Sequence, residues 1–221
     1  MPTDTRAASA QLVSYISALR DRGEFTDLVF YHDIESFDVH RVVVCAQSKV
    51  LHKACTRGFE EEFTGVIQMG HVPHLKLKRI VSFLYNANYN DDLPDRADIS
   101  PLQLHAQMFS LADQYDISNL DTLAAEKYLS KCTLSWAPLE FLTSIPNIYT
   151  TTPSSVRRLR DIACMIIQKH LPKMLSNKDV ADINPLYGHC TSCGPSQPME
   201  ALQARCKQSK RGNSGFGFYH S

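Results

Sequence analysis

The apolar positions begin at helical spacing, pass through short β-rich runs, and then return to helical spacing. Across residues 11–20, Leu12, Tyr15, Ile16 and Leu19 form one apolar helical face, which Gly23 ends. Residues 27–31 and 36–39 are short β-rich runs joined by the turn-like His32-Asp33-Ile34-Glu35, the pattern of a hairpin. The next stretch carries a conflict. Val42, Val43 and Val44 are β-branched and argue for a continuing strand, yet residues 46–54 are good helix formers with Val50, Leu51 and Ala54 on one face. Local propensity leaves that choice open. Residues 59–63 set acidic side chains around two aromatics, and residues 66–69 have the composition of a third strand.

Pro73 opens a helix in which Ile80, Phe83 and Leu84 share a face, and an Asn- and Asp-rich loop follows. Ser100-Pro101 is a second helix start, Ser as cap and Pro in the first turn, with Leu104, Met108, Leu111, Ala112 and Tyr115 at helical spacing behind it. Asn119 begins another helix carrying Leu120, Leu123, Ala124 and Tyr128. Trp136, Leu139 and Leu142 then mark a short helix closed by Pro146. Thr152-Pro153 starts a longer one with Val156, Leu159, Ala163, Ile166, Ile167 and His170 in one stripe. From Lys178 the chain thins into Pro, Gly, Ser and Gln, too poor in apolar residues to offset chain entropy. The expected organisation is a disordered N-terminus over 1–10, a mixed domain over 11–132, a helical extension over 133–177, and a largely disordered, Cys-bearing tail over 178–221.

Composition narrows the class. Hydrophobic residues at 43% and charged residues at 21% are those of a folded protein. Lys plus Arg equal Asp plus Glu at 23 each, so no net field draws in nucleic acid or an anionic membrane, and neither is expected as a partner. No stretch approaches the ~20 continuous apolar residues of a membrane span, and residues 1–10 carry no secretory pattern. An intracellular location, in cytoplasm or nucleus, is expected. Cys45, Cys55, Cys132 and Cys164 sit singly in apolar or helical stretches and read as small buried hydrophobes rather than disulfide partners.

The run Phe25-Thr26-Asp27-Leu28-Val29-Phe30, followed by Phe37-Asp38-Val39-His40-Arg41 and Val44-Cys45-Ala46-Gln47-Ser48, resembles the BTB/POZ signature of an aspartate strand, a Phe-x-Val-His-Arg turn and a Leu-Ala-x-x-Ser helix. Gly58-Phe59-Glu60-Glu61 with Val66-Ile67, Phe83-Leu84-Tyr85 with Asn88-Tyr89, Leu111 to Ile117, and Tyr128-Leu129 follow in family order. The resemblance implies an α+β, mostly α fold: a helix cluster flanked by a small sheet, then a helical extension. It settles the conflict at Val42 to Val44 in favour of a helix, with the three valines facing the core. The organisation looks most like fungal BTB-domain proteins. Where the family often has acidic residues before the helix at Pro73, this chain has His71, His74, Lys76, Lys78 and Arg79, either a changed partner face or a solvated helix start.

The resemblance also supplies candidate interaction residues. His40 and Arg41 fall in the BTB turn, and Asp27 in the aspartate strand that precedes it. Asp27 and Arg41 match a charged pair at the subunit interface of a homodimer, or else a pair that holds strand to helix within one chain. Phe59 and Glu61 resemble the hydrophobic-x-Glu element by which some BTB domains engage a cullin of ubiquitin ligases, against the alternative of a capped, solvated loop. Cys190 and Cys193 form a Cys-x-x-Cys pair, half of a tetrahedral zinc site that Cys206 and His220 would have to complete; free thiols are the simpler expectation, and no other cofactor is implied. There is no Gly-rich phosphate loop, no Gly-x-Ser-x-Gly elbow and no His-Glu-x-x-His helix, so catalysis is not expected. The function expected is a non-catalytic interaction module that self-associates or docks protein partners. The alternatives are a ubiquitin-ligase adaptor and a zinc-binding regulator.

Overall fold

The computed structural model describes residues 3–94, 97–150, 156–175, 187–190, 194–198 and 216–218. The chain divides into two compact units, Met1–Met165 and Ile166–Ser221.

The first unit opens on α1 (Thr3–Asp21), which begins well before the start expected at Gln11. Residues 3–10 are therefore helical rather than disordered. Thr3 and Asp4 suit a helix start, and Ala7, Ala8 and Ala10 are the strongest helix formers. A turn through Gly23, at φ 67°, ends the helix as its pattern indicates.

Three strands follow in the order β2-β1-β3. β1 (Leu28–Tyr31) and β2 (Phe37–Val39) make the expected antiparallel hairpin, with Leu28 opposite Val39 and Phe30 opposite Phe37. β3 (Val66–Gln68) returns parallel to β1, pairing Val66 with Val29 and Gln68 with Tyr31. Alternation buries Leu28, Phe30, Val39 and Ile67 on one face.

Between β2 and β3 lie α2 (Arg41–Gln47), α3 (Lys49–Ala54) and α4 (Glu60–Thr64). The helix reading of the valines holds, but their common burial does not: Val44 is buried and Val42 is 75% exposed. Consecutive helical residues point about 100° apart, so three in a row do not share a core face. Ser48 breaks the helix at φ −130°, and its hydroxyl accepts the Leu51 N–H at 3.0 Å while donating to the Tyr115 carbonyl.

The remaining helices of this unit are α5 (His74–Asn86), α6 (Pro101–Tyr115), α7 (Leu120–Leu134) and α8 (Pro138–Thr150). α6 starts with a full capping box, Ser100 and Gln103 each bonding the other's backbone. Leu77, Ile80, Leu104, Met108, Leu120 and Tyr128 fill the core. Pro146 does not close α8 as expected but lies inside it. Phe141, Ser144 and Ile148 are buried on both sides of it, and that packing offsets the one amide bond the proline lacks. α8 is tied to α6 by the Leu102 N–H on Glu140 at 3.1 Å and by Gln103 on the Thr143 carbonyl at 3.1 Å. Ser144 donates to the Phe141 carbonyl at 2.6 Å, so its oxygen takes the buried Tyr128 hydroxyl proton at 2.7 Å. The expected helical extension therefore begins as part of the first core.

α9 (Arg158–Leu175) opens later than the Thr152-Pro153 start, which lies outside the described residues. In the second unit, β4 (Tyr187–Cys190), β5 (Gly194–Pro198) and β6 (Phe216–Phe218) pair antiparallel in the order β5-β4-β6, with Gly188 between Gln197 and Phe218. They fall within 178–221, the span expected to be largely disordered. Gly, Ser and Pro dominate its composition, while Tyr187, Phe216 and Phe218 are good strand formers.

Candidate interaction surfaces

Asp27, His40 and Arg41 converge where β2 passes into α2. α2 has no side-chain cap of its own at His40; the Asp27 carboxylate, from the neighbouring strand, accepts the Arg41 backbone N–H at 2.6 Å. The guanidinium turns elsewhere and donates to the Cys55 and Glu62 carbonyls at 3.4 and 3.3 Å. The fork-to-carboxylate pairing considered from the sequence is thus replaced by a backbone bond, and Asp27 is exposed rather than half-buried in the strand. Gly65, the left-handed end of α4 at φ 66°, closes this joint. A Cβ there would sit 3.4 Å from the Asp27 carbonyl and 3.7 Å from Arg41 Nη2.

His40 is 7% exposed and used inside the fold. Its Nε2 faces the Glu24 carbonyl at 3.0 Å, which only accepts, so Nε2 carries the proton. Nδ1 then accepts the Tyr85 hydroxyl at 2.9 Å, and the Tyr85 oxygen accepts the His40 N–H at 2.7 Å. Burial pushes the Tyr85 hydroxyl pKa up, which keeps that donor protonated. Arg20 of α1 lies 5.1 Å over the Tyr85 ring, so the same tyrosine anchors the first helix.

The α4 corner is the reverse case. Phe59, the N-cap, is 55% exposed, and Phe63, one turn on, is 80% exposed. Glu62 folds back onto the Gly58 N–H at 2.6 Å and fixes the entry loop. The carboxylates of Glu60 and Glu61 make no hydrogen bond or ion pair among the described residues. Phe63 was missed as a partner of Phe59, although helical i, i+4 spacing places both on one side. A second uncovered apolar surface lies on α1. Leu12 is 59% and Tyr15 58% exposed, whereas Ile16 and Leu19 further along the same stripe are half-buried.

The basic segment at the start of α5 is neither a solvated helix start nor a free cationic face. Arg79 is 6% exposed and donates to the Leu75, Asn90 and Asp92 carbonyls. His71 bonds the Tyr115 hydroxyl at 2.6 Å and His74 meets Glu35 at 2.9 Å. Burial lowers the Lys76 pKa, leaving Lys78 the exposed cation of the set. A cleft of about 440 Å³, lined by Gln47, Phe83, Asn119, Leu123 and Glu126 among others, brings no histidine, cysteine or lysine together. Among the described residues no three His, Cys, Asp or Glu side chains are grouped to hold a metal ion. Cys190 ends β4, and Cys193, Cys206 and His220 lie outside the described residues, so the zinc expectation does too. Among the described residues no helix is long and apolar enough to cross a membrane.

The described residues thus form a mixed three-stranded sheet with clustered helices, polar groups closed inside and aromatic patches left outside. The BTB/POZ domain model matches residues 16–131, and the chain belongs to that family. Such a domain is typically a non-catalytic interaction module. The chain is similar to Kelch-like protein 26 of Danio rerio and of Mus musculus, 30% identical to each over 105 residues. That alignment covers 48% of this chain but 17% of each relative, so the chain spans under a fifth of their length. Among solved structures, the BTB domain of zebrafish PATZ1 aligns at 18% identity and TM-score 0.44, over 54% of this chain and 89% of that one. The BTB domain of human gigaxonin aligns at 20% identity and TM-score 0.42, over the same shares.

Proposed function

We propose that the interaction this chain serves begins with self-association through the outer face of α1. The observation that carries it is the uncovered half of the α1 stripe: Leu12 and Tyr15 are more than half exposed, on a helix whose C-terminal half packs on α5. A second copy burying the same residues gives a two-fold, self-complementary contact. Sedimentation equilibrium of the full chain tests this. A dimer is expected, and a Leu12→Asp, Tyr15→Asp variant becomes monomeric at the same concentration while keeping its helical circular dichroism. A wild-type monomer at high micromolar concentration overturns the reading.

A second reading, adaptor of a cullin-type ubiquitin ligase, is favoured by the α4 corner. Phe59 and Phe63 offer two aromatic anchors with the unpaired Glu61 carboxylate beside them, a hot-spot composition. Binding of a purified cullin N-terminal domain is expected to fall at least tenfold in a Phe59→Ala, Glu61→Ala variant. Unchanged affinity removes these residues from the contact.

A further inference from the structure

The cleft of about 440 Å³ belongs to neither the α1 face nor the α4 corner and is built from three helix ends. α5 stops where Ala87 turns left-handed at φ 51°, and α7 starts at Asn119, left-handed at φ 65°. Both residues line the cleft, and Gln47 completes it from the end of α2. Asn119, Thr122, Leu123 and Glu126 recur at helical spacing, so one face of α7 forms the long wall. The walls are tied together: the Gln47 carbonyl takes the Ser118 N–H at 2.9 Å, and the Gln47 side-chain amide reaches the Leu84 carbonyl of α5 at 2.7 Å.

The lining favours one kind of ligand. Gln47 Nε2 also donates to the Val43 carbonyl at 3.1 Å, so both amide hydrogens are used and Oε1 is left as an acceptor. Glu126 is the one ionisable residue in the lining, and its carboxylate makes no hydrogen bond or ion pair among the described residues. Cations next to it in the chain or the fold are engaged. Arg158 donates to Thr122 Oγ1 at 2.7 Å and lies 3.9 Å from Asp121, and Lys127 meets Asp91 at 2.7 Å. Phe83, 4% exposed, and Leu123 supply the apolar part.

We propose that this cleft binds an arginine side chain of a partner protein, with the guanidinium on Glu126 and Gln47 Oε1 and the aliphatic stem along Phe83 and Leu123. A guanidinium brings donors only, in a planar fork, and so matches a carboxylate and an amide oxygen that only accept. An anionic side chain would meet a carboxylate with nothing to neutralise it. The docking rests on this charge complementarity and depends on neither self-association nor a cullin.

The test titrates the isotope-labelled full chain with acetyl-Gly-Arg-Gly amide, and with its lysine and citrulline counterparts, and follows backbone amide chemical shifts. The arginine peptide is expected to shift the Gln47, Ser118 and Leu123 amides saturably. The citrulline peptide, which keeps the shape and loses the charge, is expected to bind about tenfold more weakly, and Glu126→Gln to weaken the arginine peptide by a similar factor. Four outcomes overturn the proposal: no saturation at these amides by about 10 mM peptide, equal binding of citrulline, equal binding of lysine, or unchanged affinity in Glu126→Gln. If Glu126→Gln loses its helical circular dichroism, the three titrations of the wild type decide.

Discussion

The β2–α2 junction and the α4 corner are neighbours in the chain and opposites in use. At the junction, polar residues are consumed inside the fold: His40 joins the Glu24 carbonyl to Tyr85, and Asp27 caps the amide end of α2. At the corner, Phe59 and Phe63 are held in place by Glu62 and Gly65 and left bare. Matching a family pattern thus says that a residue is constrained. It does not say whether the constraint comes from within the chain or from a partner. Exposure and hydrogen-bond saturation separate the two.

The largest expected effect tests whether a buried histidine behaves as an internal element. His105 is 1% exposed, with Nδ1 on the Tyr89 hydroxyl at 2.9 Å, and burial pushes its pKa down to about 4. In the unfolded chain it titrates near 6.5, so between those values the unfolded state holds a proton that the native state refuses. Stability should therefore fall as pH drops from about 6.5 to about 4, by about 3 kcal/mol in all, and level off below. Denaturant midpoints measured across that window check it, and a His105→Gln variant should lack this part of the slope.

Next comes His40→Ala. It leaves the Tyr85 hydroxyl proton without its acceptor and the Glu24 carbonyl without its donor, and should cost about 2 kcal/mol by urea unfolding. Asp27→Ala should cost about 1 kcal/mol through the lost cap, and Asp27→Asn should recover most of it because the amide oxygen still accepts. Recovery by asparagine identifies a cap; no recovery points to a role for the charge at an interface. The smallest effect belongs to the corner. A Phe59→Ser, Phe63→Ser variant should shift stability by less than about 0.5 kcal/mol while changing partner binding. A large loss of stability there would place the aromatics inside the fold after all.

The hairpin, the Ser100 cap and the helices carrying Leu104 to Tyr128 were legible in the chain because periodicity and caps are local. So was the family, because its motifs are ordered along the sequence. The fate of Arg41 was not legible: its guanidinium finds carbonyls of Cys55 and Glu62, and nothing local places those atoms in reach. Pro146 misled for the same reason, since a local break was overridden by burial of Phe141 and Ile148. The early start of α1 was written in Ala7, Ala8 and Ala10, whose helix preference carries no apolar stripe and so leaves no periodic signal.

The parallel pairing of β1 with β3 has a consequence for the order in which the chain assembles. β1 and β2 close over a short turn, but β3 reaches β1 only after α2, α3 and α4 have bridged the two strands, a non-local step that comes at a larger cost in chain entropy. The Phe59 to Phe63 corner lies in that bridge and is pinned by Gly65, whose carbonyl takes the β1 amide of Val29 at 2.8 Å. A chain still waiting for its third strand has no rigid corner to offer. On the adaptor reading, a partner docking there would meet only molecules that have finished folding, and that contact would double as a readout of maturity.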